Sequence, residues 1–157
     1  MIVQSHLSNR KHTYFESCVR EAEKSDIQFQ HGCVATLGGK IVARGYNTAK
    51  NYSKHDNFLE NTCTCHAEVN VLRKLYHRSR RTRKMRKFHR MTLYISRVNR
   101  FGDCDYNSAP CTRCMEVINN LNIKQIVFYL DNEYHIVKPR EYTTPYTSSG
   151  EKYLTRK

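Results

Sequence analysis

Long apolar runs are missing from this sequence: no stretch approaches the ~18 residues that a membrane-spanning helix needs. The first eleven residues mix His, Ser, Asn and Arg where a signal peptide carries an apolar segment, so the chain is expected not to be secreted. Proline and glycine are scarce, at three and six in 157 residues. With no Pro- or Ser-rich tract and no internal repeat, collagen, low-complexity chains and wholesale disorder are excluded. Acids are also few: 14 Asp and Glu stand against 27 Lys and Arg, for a net charge of +13. That surplus attracts polyanions, so nucleic acid and nucleotides enter as partners, and no membrane partner is expected.

What is present fits one globular domain. The length suits a single core, and 39% of residues are hydrophobic. Seven cysteines is an odd number without an export signal, which favours metal binding over a disulfide framework. A reducing compartment, cytoplasmic or nuclear, follows.

Thr13 and Glu16 fit a capping box, and Tyr14, Phe15, Cys18, Val19 and Ala22 recur at helical spacing, predicting a first helix that ends near Lys24. Two β-rich runs, 33–37 and 41–43, are joined by Gly38-Gly39, a dipeptide suited to the positive φ of a tight hairpin turn. Residues 46–62 read as a long surface loop. A second helix is expected to start near Thr64, a third strand to cover 91–95, and Pro110 to take the first position of a third helix. A strand at 125–129 follows. The four residues 130–133 are too short for a parallel crossover, so a fifth strand at 134–137 is predicted to be antiparallel. The fold class is α/β: a three-layer domain with a mixed five-stranded sheet and helices packed on it. Residues 1–157 form the one domain, with a basic insertion at 77–90 and a C-terminal extension from about 138.

The chemistry concentrates in two places. His66-Ala67-Glu68 opens one predicted helix, and Pro110-Cys111-Thr112-Arg113-Cys114 opens another. One imidazole and two thiolates, His66, Cys111 and Cys114, make a three-ligand zinc set with a fourth position left for water. Helix N-termini favour thiolates there. Glu68, about 200° round the helix from His66, should stand beside the water instead of chelating. A carboxylate in that place takes a proton from water and delivers it elsewhere, the proton traffic of hydrolytic deamination. Cys111-x-x-Cys114 alone also fits a structural zinc half-site completed by Cys63 and Cys65, and a second metal among Cys63, Cys65 and Cys104 stays open.

HAE followed by PCTRC resembles the signature of the zinc-dependent cytidine deaminase superfamily. The resemblance covers residues 31–129. Gly45-Tyr46-Asn47, and Asn70 after HAE, are most similar to deoxycytidylate-type deaminases. It implies one Zn²⁺ per chain, Glu68 as the catalytic residue, and Asn47, Cys33, Val34 and Ala67 in the substrate pocket. It also implies a parallel fifth strand, against the reading of the short connector. Asn122 stands where the family has glycine.

The expected function is deamination of a cytosine base to uracil on a (deoxy)cytidine nucleotide, with release of ammonia. Residues 77–90 carry eight Lys/Arg and no acid. Either they form a solvated face, or Arg80, Arg81, Arg83, Lys84, Arg86 and Lys87 hold RNA or single-stranded DNA. The alternatives are therefore a polynucleotide deaminase, on cytidine or tRNA adenosine, and a non-catalytic zinc-stabilised nucleic-acid-binding module. Homo-oligomerisation is left open by the sequence.

Overall fold

A computed structural model describes residues 1–49, 65–82, 87–99, 101–103, 106–148 and 152. Its regular elements are β1 (Ile2–Gln4), α1 (Asn9–Ala22), β2 (Gln30–Leu37), β3 (Lys40–Tyr46), α2 (Ala67–Thr82), β4 (Thr92–Val98), α3 (Thr112–Asn120), β5 (Gln125–Leu130) and β6 (Glu133–Val137). The strands form one sheet in the order β1-β6-β5-β4-β2-β3. Only β4 and β5 pair in parallel, joined through α3; the other neighbours are antiparallel.

Strand alternation sorts the core into two layers. Val34, Tyr94, Val127 and Ile136 face the α1 side, where Cys18 is buried among them. Cys33, Ala35, Leu93, Ile95, Ile126 and Phe128 point the other way and pack with Val69, Leu72, Val117 and Ile118 of α2 and α3. The result is the expected three-layer α/β domain. At Gly32 α1 rests directly on β2: a Cβ there would lie 2.0 Å from the Cys18 carbonyl oxygen and 2.6 Å from the Ala22 nitrogen.

The hairpin turn is as predicted, with Gly38 and Gly39 at φ 58° and 76°. The last strand is antiparallel to β5, as the connector requires and contrary to the arrangement implied by likeness to deoxycytidylate deaminases. Asp131 and Asn132 make that turn at φ 52° and 64°. Asn122 performs the task of a C-terminal glycine: at φ 57° it ends α3, while its N–H reaches the Asn119 carbonyl and the Ile123 N–H that of Ile118.

Five expectations are corrected. The sheet has six strands, because three residues at the N-terminus add β1 beside β6. Helix α1 starts at Asn9 after Ser8, and the Thr13 hydroxyl donates to the Asn9 carbonyl inside the helix (3.0 Å) instead of capping it. Pro110 precedes the N-cap, Cys111, instead of opening α3. Strand β4 continues through Val98, so Ser96 and Arg97 belong to the sheet and not to the following loop. Helix α2 begins at Ala67, with Cys65 in a β-bridge to Thr48, so its start comes about one turn later than the expected Thr64; most of the expected 46–62 loop, and Thr64 itself, lie outside the described residues.

Candidate active site and metal centre

Two helix beginnings meet at the C-terminal end of β4. The His66 carbonyl accepts the Asn70 N–H (2.9 Å), which sets His66 at the N-terminal boundary of α2. Cys111 is the N-cap of α3, its carbonyl accepting the Met115 N–H (2.9 Å), and Cys114 lies in the first turn. Cys111 has extended backbone, φ −76° and ψ 170°. The loop that delivers it is fixed by Ser108, whose hydroxyl donates to the Ile95 carbonyl (2.8 Å) and accepts the Tyr129 N–H (2.9 Å). That one buried side chain bridges β4 and β5 beyond their last paired residues, Tyr94 and Val127.

His66, Cys111 and Cys114 are the metal-capable group that converges among the described residues, with donor atoms within 4.8 Å of one another. His66 Nδ1 lies 3.2 Å from Cys114 Sγ and 3.4 Å from Cys111 Sγ. Tetrahedral zinc, with bonds of ~2.0 Å to nitrogen and ~2.3 Å to sulfur, would separate such a nitrogen and sulfur by about 3.5 Å. The donor set therefore fits zinc with little movement.

The electrostatics point the same way. The hydrogen bond from Cys114 lowers Cys111 to about 4, helped by His66 and opposed by burial. That same hydrogen bond, together with burial and the Glu68 charge, raises Cys114 well above an ordinary thiol. The bare pair thus holds one negative charge, and a divalent cation lets the second thiol ionise. Glu68 is only 4% exposed. Burial raises its pKa; the charge of His66 opposes the rise.

His66, Glu68 and Cys111, though not the fully buried Cys114, line a cavity of about 420 Å³ together with Phe29, His31, Asn47, Ala67, Arg97 and the segment Tyr146 to Ser148, among others. Asn47 is a latch at its wall: Oδ1 accepts the His31 N–H (2.8 Å) and Nδ2 donates to the Phe29 carbonyl (2.6 Å). Burial holds His31 neutral, its pKa pushed down to about 4, and its Nδ1 lies 3.1 Å from the Phe29 carbonyl. The Tyr146 carbonyl accepts the Thr112 N–H (2.9 Å), tying the C-terminal segment to the start of α3.

Of the residues expected in the pocket, Asn47 and Ala67 line the cavity. Cys33 and Val34 do not. Both are fully buried inside β2, Val34 on the face toward α1. Asn70 donates to the Tyr46 carbonyl (3.2 Å), holding α2 against the end of β3. Cys65 is buried beside Arg73 (3.4 Å), while Cys63 and Cys104 lie outside the described residues. Of the basic run, Arg80, Arg81 and Lys87 are described and exposed, whereas Arg83, Lys84 and Arg86 are not among the described residues. The sequence reading missed Phe29, His31, Arg97 and Tyr146; their one signal is strand register or a carbonyl in a distant segment.

The family model of the cytidine and deoxycytidylate deaminase zinc-binding region matches residues 8–130. No curated protein matches the chain. Among solved structures, the fold is similar to cytidine deaminase from Burkholderia pseudomallei, with a TM-score of 0.58 at 15% identity over 86% of this chain and 95% of that one. It is also similar to apo dCMP deaminase from the cyanophage S-TIM5, with a TM-score of 0.53 at 20% identity over 77% and 82%. Cytidine deaminase from Mycobacterium tuberculosis gives 0.51 at 16% identity over 83% and 91%. The cofactor is one Zn²⁺, for which the chain offers His66, Cys111 and Cys114. The chain belongs to the cytidine and deoxycytidylate deaminase zinc-binding family.

Proposed function

We propose that the protein is a zinc-dependent hydrolase that converts the cytosine base of a (deoxy)cytidine nucleotide to uracil and releases ammonia. The observation that carries this reading is the buried Glu68 carboxyl at the cavity end where His66, Cys111 and Cys114 converge. His66, Cys111 and Cys114 would hold the zinc, which when bound would make water available as a nucleophile at neutral pH. Glu68 would take one proton of the attacking water as its oxygen bonds to the amidine carbon, and hand that proton to the ring nitrogen. The same carboxyl would carry the second proton to the exocyclic amine as the carbon–nitrogen bond breaks, so that ammonia leaves. Asn47 shapes the wall that receives the nucleoside, acting through Phe29 and His31 and through the lone pair and N–H its latch leaves over.

A second reading, deamination of RNA or single-stranded DNA, is favoured by the basic run at 77–90. Ammonia release from dCMP, CMP, cytidine, single-stranded DNA and tRNA decides between them. Turnover of dCMP or CMP at a rate insensitive to salt supports the nucleotide reading. Activity confined to polynucleotides, falling steeply with salt, supports the second. Zinc-loaded protein inactive on all five would leave a non-catalytic module.

A further inference from the structure

The register that builds the core also delivers a cation to the cavity. On β4 the residues facing α2 and α3 are Leu93, Ile95 and then Arg97. Leu93 and Ile95 are fully buried, whereas Arg97 reaches the cavity. Its antiparallel partner on β2 is His31, which lines the same cavity. The guanidinium carbon stands 4.8 Å from the Phe29 ring centre and 5.9 Å from that of Tyr106. Two rings therefore hold a half-buried charge in place.

Among the described residues no carboxylate pairs with Arg97, and it is the one Lys or Arg that lines the cavity. A charge withdrawn from water without a counter-ion is costly unless a ligand supplies one. The basic helix end is out of reach of a mononucleotide held at Arg97. Arg80 lies thirteen residues along α2 from Ala67, about 20 Å at 1.5 Å per residue. A single fork-shaped cation at the wall of a small cavity suits one terminal phosphate, whereas a polynucleotide needs a row of cations.

We propose that Arg97 is the phosphate-binding residue of this cavity, and that it selects a cytosine nucleoside monophosphate over the nucleoside. This rests on the deaminase reading for the base and on the Arg97 geometry for the phosphate. Two measurements separate them. For turnover, the ratio of kcat/KM for dCMP to that for deoxycytidine is expected to fall about 10- to 100-fold in Arg97→Gln, mostly through KM, the range for a lost charge-assisted hydrogen bond. Arg97→Lys, which keeps the charge and loses the fork, should fall less. For binding, calorimetric titration with dUMP and deoxyuridine needs no catalysis. The preference for dUMP should fall by the same factor in Arg97→Gln.

Parent protein that turns over no cytosine compound but binds dUMP through Arg97 would overturn the deaminase reading and leave the phosphate site standing. A parent that binds dUMP no better than deoxyuridine, or an unchanged preference in both variants, would overturn the phosphate site whether or not the protein deaminates. Loss of binding confined to a short single-stranded oligonucleotide would also overturn it. Circular dichroism and zinc content check that each variant is folded; should Arg97→Gln fail, Arg97→Lys carries the test.

Discussion

Asn47→Ala should destabilise the protein by an amount that the geometry sets. The side chain is buried at 8% exposure. Its removal leaves the His31 N–H without the partner it has at 2.8 Å, while the Phe29 carbonyl loses the amide at 2.6 Å but keeps His31 Nδ1 at 3.1 Å. A buried backbone group left unpaired costs about 1–3 kcal/mol. With one such group orphaned, we expect a loss of about 1–3 kcal/mol. For a chain of this size that is a fall in Tm of roughly 2–12 °C. Asn47→Asp keeps the acceptor for His31 but sets a carboxylate oxygen against the Phe29 carbonyl, so it should rescue little at neutral pH. Thermal and urea unfolding of the zinc-loaded variants measure both. Stability within 0.5 kcal/mol of the parent would refute the latch and leave Asn47 as a substrate contact alone.

Gly32→Ala should cost about 3 kcal/mol or more, since its Cβ meets backbone atoms of α1 at 2.0 Å and 2.6 Å that no rotamer change can relieve; a loss below 1 kcal/mol in urea unfolding would contradict that packing. His31 has a folded pKa of about 4 against 6.5 unfolded, so the unfolded chain takes up the extra proton between those values. Its stabilisation is complete above about pH 6.5 and is lost as pH falls to about 4, at most about 3 kcal/mol because the ring lines a cavity that water reaches. His31→Gln should therefore lose less stability than the parent between pH 7 and pH 5, and parallel curves would show that His31 is not held neutral. Cys114→Ser should come through desalting with almost no zinc by elemental analysis, and stoichiometric zinc in a variant lacking both Cys111 and Cys114 would move the metal elsewhere.

The zinc ligands and Glu68 were legible because their chemistry is local. His-x-Glu and Cys-x-x-Cys each place their groups within a turn of a helix start, and only the meeting of the two helices had to be supplied by the fold. Arg97 was hidden by two residues of strand length: with β4 ended at Ile95 it falls in a loop, and with β4 carried to Val98 it continues the row of Leu93 and Ile95. Phe29 and His31 owe their place to cross-strand register and to Asn47, sixteen or more residues away in sequence. Tyr146 enters through a backbone carbonyl, which leaves no mark on side-chain pattern. β1 is three residues long, too short for alternation to show. Cys33 and Val34 illustrate the converse: a family likeness named the strand, and the pleat turned Val34 toward α1 and left both inside the core.

In the proposed reaction a buried carboxyl beside a three-ligand zinc performs the proton transfers of deamination. Zinc content and ammonia release from dCMP, measured on one preparation each of the parent and Glu68→Gln, put that to the most direct test. About one zinc per chain is expected in both, with turnover reduced about 10²- to 10⁴-fold in the variant. Glu68→Gln that keeps its zinc and deaminates at near the parent rate would contradict it.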